Sequence, residues 1–263
     1  MTVQPVLSKL FISFAVLGVG CGGSSAGTNS SIGDPTNSST TQTSGSSTQA
    51  GAVRDPNACP EPSSSGGLSI EGQLGTIRQG QVSATLNPAV SQLQQCYTRR
   101  LEELPYLAGA VSYKIRIGTD GSVRWVLPTA DTIGDHSTSE CMKQILAGLH
   151  FPRPCGGETE TTWGPITFEG GEDARPAVAW EVSRIQRQID RRRSQLTQCL
   201  HGAHGAQADV TTYIAPGGRV ATASASVNHH EAAEAVLCLV QEVSTWQVAD
   251  PGSYAARVTF RVQ

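Results

Sequence analysis

The sequence predicts an α+β chain in which two small modules follow one another, each running helix, strand, strand, helix, strand. Three observations carry that prediction. Stretches of helical and of alternating apolar spacing succeed one another in that order after residue 67. The order then occurs a second time. Residues 22–66, by contrast, are nearly all Ser, Thr, Gly, Asn, Gln and Ala, and this composition cannot bury enough apolar surface to offset the entropy of ordering.

The elements of the first module follow from local patterns. Residues 68–77 read as a short strand or hairpin. Val90, Leu93, Cys96, Tyr97, Leu101 and Leu104 recur at helical spacing, and Pro105 ends that helix. Val111, Tyr113, Ile115 and Ile117 alternate with Ser112, Lys114 and Arg116, the signature of a half-buried strand. Asp120-Gly121 supplies a hairpin turn, and Val123, Trp125 and Leu127 alternate again. Cys141, Ile145, Leu146 and Leu149 predict a second helix, Phe151-Pro-Arg-Pro154 stops it, and residues 161–168 form a third strand.

The second module repeats the series. Val178, Val182, Ile185, Ile189, Leu196, Cys199 and Leu200 predict one longer amphipathic helix. Strands follow over residues 210–214 and 219–227, with Pro216-Gly-Gly218 between them. Ala232, Val236, Leu239, Val240 and Val243 give the second helix, and residues 254–262 the last strand. Six landmarks keep their order across the copies: Cys96 with Cys199, Gly121 with Gly218, Val123 with Val220, Cys141 with Cys238, Phe151 with Trp246, and Thr167-Phe168 with Thr259-Phe260. Two copies are too few for a solenoid.

The amino terminus fixes an expected compartment. A basic residue, Lys9, precedes an apolar run over residues 10–20, too short to span a bilayer as a permanent helix. Gly20 then precedes Cys21, a pattern that reads as an export signal. The junction resembles the bacterial lipoprotein signal, in which the Cys is acylated and becomes the first mature residue. It departs from the usual pattern in having Gly18 where Leu is common. An ordinary secreted protein and a retained anchor are the alternatives. The resulting division is a lipoprotein signal over 1–20, a tether over 21–66, and modules over 67–170 and 176–263. The tether has an r.m.s. reach of roughly 35–40 Å. The sorting rule borrowed from the resemblance places a Cys21 followed by Gly22 on the outer membrane, facing the periplasm.

An exported chain makes disulfides the expected state of its cysteines. With Cys21 lipidated, six of the seven remain. Each copy places one Cys in its first helix and one in its second, which predicts Cys96–Cys141 and Cys199–Cys238. Elimination leaves Cys59–Cys155. No close Cys pair of the structural zinc type is present.

The remaining residues argue against specific chemistries. The formal charge of −3 and the export signal disfavour nucleic acid. No Gly-x-Ser-x-Gly motif is present, and Ser224 and Ser226 sit in a run of small strand residues. Asp131, Asp135 and His136 share a loop and are the one local acid–base candidate. His201, His204, His229 and His230 flank loops of the second module and would bind a transition metal only if those loops met. No cofactor is expected. Arg184, Arg187, Arg191, Arg192 and Arg193 form a basic face suited to carboxylates or phosphates.

Cys96-Tyr97, Leu101, Leu104-Pro-Tyr-Leu107-Ala-Gly109, Asp120-Gly-Ser-Val123, Cys141 and Phe151-Pro152 form an ordered pattern. Together with the Glu71-Gly-Gln-Leu-Gly-Thr-Ile lead-in and Leu86, it resembles the AgmX/PglI C-terminal domain of bacterial envelope proteins, a relative of the TonB C-terminal fold. Residues 178–262 look like a diverged copy, with His201-Gly-Ala-His-Gly205 in place of the Leu-Pro-x-Leu-x-Gly segment. The resemblance implies a noncatalytic envelope module, linked in related proteins to motility or envelope transport, with an envelope protein or complex as its partner and the lipid anchor as its membrane contact. An exported hydrolase with an unfamiliar site and a metal-binding envelope protein are the competing readings.

Overall fold

The computed structural model describes Cys59 and residues 74–263 except 172, all within a single compact unit. The expected signal, Cys21, the tether and most of the 68–77 lead-in lie outside the described residues. The fold is mixed α+β with two antiparallel-based sheets.

The first half contains α1 (Gln79–Leu86), α2 (Val90–Leu101), β1 (Gly109–Ile117), β2 (Val123–Asp131), α3 (His136–Ala147) and β3 (Thr159–Phe168). The second contains β4 (Val178–Ala179), α4 (Gln186–Arg191), α5 (Arg193–Cys199), β5 (Ala208–Ile214), β6 (Val220–Val227), α6 (Ala235–Ser244) and β7 (Ala256–Val262). The sheet orders are β2-β1-β3 and β4-β7-β5-β6. In each half the first long strand is central, between its hairpin partner and the strand after the second helix. β4 adds a short parallel pairing to β7.

The landmarks have physical reasons. Gly121 and Gly218 both have positive φ, 89° and 82°. A Cβ at either would lie 2.1 Å from the Phe151 carbonyl oxygen or 2.3 Å from that of Val248. Each hairpin therefore folds back against the chain leaving the second helix, and only glycine permits the approach. Phe168 packs on Tyr97 with ring centroids 4.8 Å apart, and Phe260 packs on Trp246 at 5.5 Å. Val111, Tyr113, Ile115 and Ile117 are fully buried, as their alternation predicts.

Four sequence readings require correction. A helix, α1, precedes the expected first helix; it buries only Val82 and Leu86, too sparse a stripe to show periodicity. Leu74–Ile77 contributes one isolated bridge, Thr76 to Cys155, rather than a strand. In β2, a register shift opposite Arg116/Ile117 reverses the faces. Val126 then enters the first core, while Leu127 and Trp125 join the core of the second half. The long helix of the second half is broken. Val178 belongs to β4, Val182 to a 3₁₀ turn, and the backbone at Arg192 (φ −106°, ψ 11°) separates α4 from α5. Ile185, Ile189 and Leu196 are buried, but the intervening turn of the stripe is occupied by Arg192 and Arg193, so nothing apolar holds the helix continuous there.

The two halves share their interiors. Tyr213 of β5 lies in the first core and Leu127 of β2 in the second. Three disulfides close the chain: Cys96–Cys141, Cys199–Cys238 and Cys59–Cys155, the pairs the sequence predicts. The first two staple α2 to α3 and α5 to α6.

Candidate functional site

The junction of the halves is built around Asp131 and Asp135, at either end of the turn between β2 and α3. Asp135 caps α3, accepting from the Thr138 amide at 2.9 Å. Its two oxygens also receive a fork of bonds from Arg100 of α2, at 3.0 and 2.9 Å. Thr222 of β6 donates to the same carboxylate at 2.6 Å. One buried side chain thus ties two helices of the first half to the sheet of the second. Burial alone would raise its carboxyl, but the bonds from Arg100, Thr222 and Thr138 prevail and hold it below the ordinary carboxylate range.

Asp131 has the opposite environment. It is 1% exposed. It accepts from the Ile133 amide at 2.9 Å and from the Ser139 hydroxyl, and none of its hydrogen bonds comes from a cation. Burial raises its carboxyl above the usual range, an effect that the Ser139 and Ser224 hydroxyls and the Ile133 and Gly134 amides only partly offset. The buried Ser224 hydroxyl of β6 faces it and helps to hold the carboxyl down, although it lies short of ordinary hydrogen-bond geometry. The buried Tyr113 hydroxyl, raised by desolvation and by Asp131, is without a partner.

The small residues of β5 and β6 permit this junction. Thr211 donates to the Asp131 carbonyl at 3.2 Å. A Cβ on Gly134 would lie 2.7 Å from the Tyr213 ring and 3.0 Å from Thr211. The Tyr213 hydroxyl bonds the Ala108 carbonyl at 3.0 Å, and Arg257 donates to the same oxygen at 2.9 Å.

Beside this polar layer lies a cleft of about 480 Å³ between α3 and α6, within the range of ligand sites. Val126, Leu127 and Pro128 of β2 and Ala225 of β6 form its floor. Ser139, which lines it, also donates to Asp131.

Among the described residues, no histidine hydrogen-bonds Ser139 or Ser224, and both bonded oxygens of Asp131 are occupied by local donors. His136 lines the cleft but stands apart from the Asp131 and Asp135 bonds. The other histidines stay dispersed. His201 and His204 are exposed, His230 stacks on Trp125 at 4.5 Å, and His229 lies 3.3 Å from Glu231. Among the described residues no three His, Cys, Asp or Glu side chains are grouped to hold a metal.

The arginines do not act as one uniform face. Arg193 pairs with Asp190 at 2.7 Å and Arg192 with Glu242 at 3.7 Å. Arg184 lies over the Trp180 ring at 5.8 Å. Arg187 and Arg191 are exposed and make no ion pair among the described residues; the Arg191 guanidinium donates to the Arg187 carbonyl at 3.3 Å.

Sequence reasoning brought Asp131 and Asp135 forward as neighbours, set Ser224 aside as a small strand residue, and missed Arg100, Thr222 and Ser139. A signal existed for one of them. Arg100 lies four residues after Cys96, and the disulfide to Cys141 already set α2 beside the helix that Asp135 caps. No family model, curated protein or solved structure matches the chain.

Proposed function

We propose that the chain is a noncatalytic cell-envelope lipoprotein whose two joined TonB C-terminal-like modules form a protein-binding or scaffolding unit on the periplasmic side of the outer membrane. The observation that carries this reading is the junction itself. Its titratable groups are used to join the halves, while a cleft remains open beside them and Arg187 and Arg191, elsewhere on the surface, make no ion pair among the described residues. The ordered motif shared with the AgmX/PglI C-terminal domain supports the same class of module. On this reading Cys21 carries the lipid, the tether spaces the domain from the membrane, and an envelope protein or complex is the partner.

Two measurements test it. Mass spectrometry of the mature chain should find an acylated Cys21 as its first residue, and Cys21→Ser should release the protein from the membrane. An unmodified mature terminus elsewhere would reject the anchor. Crosslinking in the native cell should enrich a defined envelope protein, and purified protein should show no turnover on envelope substrates. Turnover by the purified chain would overturn the binding role.

A further inference from the structure

The cleft between α3 and α6 is lined by matching positions of the two copies. Counted back from the helix cysteines, Cys141 and Cys238, the residues five, two and one places earlier all face it. They are His136, Ser139 and Glu140 on one side, and Ala233, Val236 and Leu237 on the other. The duplicated helices therefore oppose each other across one cleft, and divergence has made one wall polar and the other apolar.

Two features of the lip set the charge of its ligand. Leu237 is 50% exposed, the most exposed of the large hydrophobic side chains among the described residues. It stands where the first copy has Glu140. On the polar side Glu140 and Lys143 pair with each other at 3.2 Å and leave no net charge. Glu234, also in the lining, has no cationic partner among the described residues. The unanswered charge of the cleft is thus a carboxylate next to an exposed leucine.

We infer that this cleft binds a peptide segment of a partner protein, with an apolar side chain seated against Val236 and Leu237 and an adjacent Lys or Arg meeting Glu234. A buried apolar anchor flanked by a complementary charge is the usual economy of a small recognition site. The floor supports this occupant, because Val126, Leu127 and Pro128 present an apolar surface with little to bond a polar ligand. The polar wall, with His136, Glu140 and Lys143, can meet the peptide backbone on its other side. This inference rests on the binding role proposed above and assigns it a place.

The test uses the full chain carrying Cys21→Ser, to keep it free of lipid, and three fluorescent eight-residue peptides. One has a Leu-Ile-Leu centre flanked by Lys, the second the same centre flanked by Glu, and the third Ser in place of the apolar centre. The Lys-flanked peptide should bind, and the other two should bind at least about tenfold more weakly, a difference of about 1.4 kcal/mol. Leu237→Glu should weaken the Lys-flanked peptide about tenfold or more. Glu234→Lys should reverse the preference toward the Glu-flanked peptide, a result that loss of folding cannot produce. Binding unaffected by both substitutions would overturn the assignment while leaving partner capture in the cell, and with it the broader binding role, intact. Binding of dodecylamine without binding of any peptide would overturn it in favour of a small amphiphile. Concentration-dependent dimerisation abolished by Leu237→Glu would overturn it in favour of a second copy of the chain.

Discussion

The outer faces of the two sheets are equivalent in topology and opposite in chemistry. In the first half this face carries Lys114, Arg116 and Glu160, partly exposed and joined by ion pairs of 3.1 Å or closer. In the second half the positions matching Lys114 and Arg116 hold Thr211 and Tyr213, and Ser224 lies beside them, all buried. The reason is that the second face receives the turn between β2 and α3, whereas on the first it is β2 that meets the other half, through Trp125 and Leu127 opposite Arg116 and Lys114. The helix pairs differ in the same way. Arg100 and Asp135 bridge α2 to α3, whereas the matching positions of the second half are Ala203 and Ala232. Duplication copied the strand order. Packing one copy onto the other then required different surfaces, and the charge that ties the halves together resides in only one of them.

The largest test of this contrast removes the staples. Replacing Cys96 and Cys141 together by Ser, or Cys199 and Cys238 together, is expected to cost about 4 kcal/mol each in the chain-entropy account, read from denaturant unfolding. Hydrogen exchange should separate the two variants. Loss of Cys199–Cys238 should open α5 and α6 locally, since among the described residues only the long, partly exposed Arg192–Glu242 pair at 3.7 Å then joins them. Loss of Cys96–Cys141 should leave α2 and α3 protected by Arg100 and Asp135. Equal local opening in both would remove the distinction.

Arg100→Met comes next. It strands a buried carboxylate, which costs about 3 kcal/mol or somewhat more. The sign with pH follows from the lowered carboxyl of Asp135. Its contribution is complete above the ordinary value of about 3.9 and is lost as pH falls through the folded-state value. The acid limb of the stability profile should therefore be shallower in Arg100→Met than in the parent chain. An unchanged limb would show that Asp135 is not held by Arg100.

Asp131→Asn should act in the opposite direction. A raised carboxyl contributes stability that is complete below about 3.9 and is lost as pH rises toward the folded-state value. The Asn variant should match the parent at pH 3 and exceed it at pH 8, as measured by thermal or denaturant unfolding at both values. A variant less stable at pH 8 than at pH 3, relative to the parent, would mean that folding lowers the Asp131 carboxyl rather than raising it.

The smallest expected effect on stability is at the arginines. Changing Arg187, Arg191 and Arg192 together to Gln should alter unfolding by about 0.5 kcal/mol or less, the range of ordinary surface positions. Capture of the crosslinked envelope partner should fall more at low than at high salt, because salt screens exposed charge pairs. Unchanged capture at low salt would leave these arginines as a solvated surface.

Much of the fold was legible because it rests on local rules. Alternation defined β1, the helical spacing of Leu93, Cys96 and Tyr97 defined α2, and Gly121 and Gly218 marked turns that only glycine can make. The parallel placement of cysteines gave the disulfides, since repeated helices impose repeated neighbours. What only the tertiary structure decided was how one copy rests on the other. Trp125 and Leu127 appeared as ordinary alternating residues; the shift in β2 turned them toward the second core. Ser224, Thr211 and Thr222 appeared as small residues of a plain strand, and their meaning lies in the approach of residues 131–135. A side chain's hydrogen-bond partner 87 residues away, as Thr222 is from Asp135, leaves no period in the sequence. The cleft has the same origin: α3 and α6 each carry a locally readable pattern, but only their packing across β2 and β6 makes opposed walls of them.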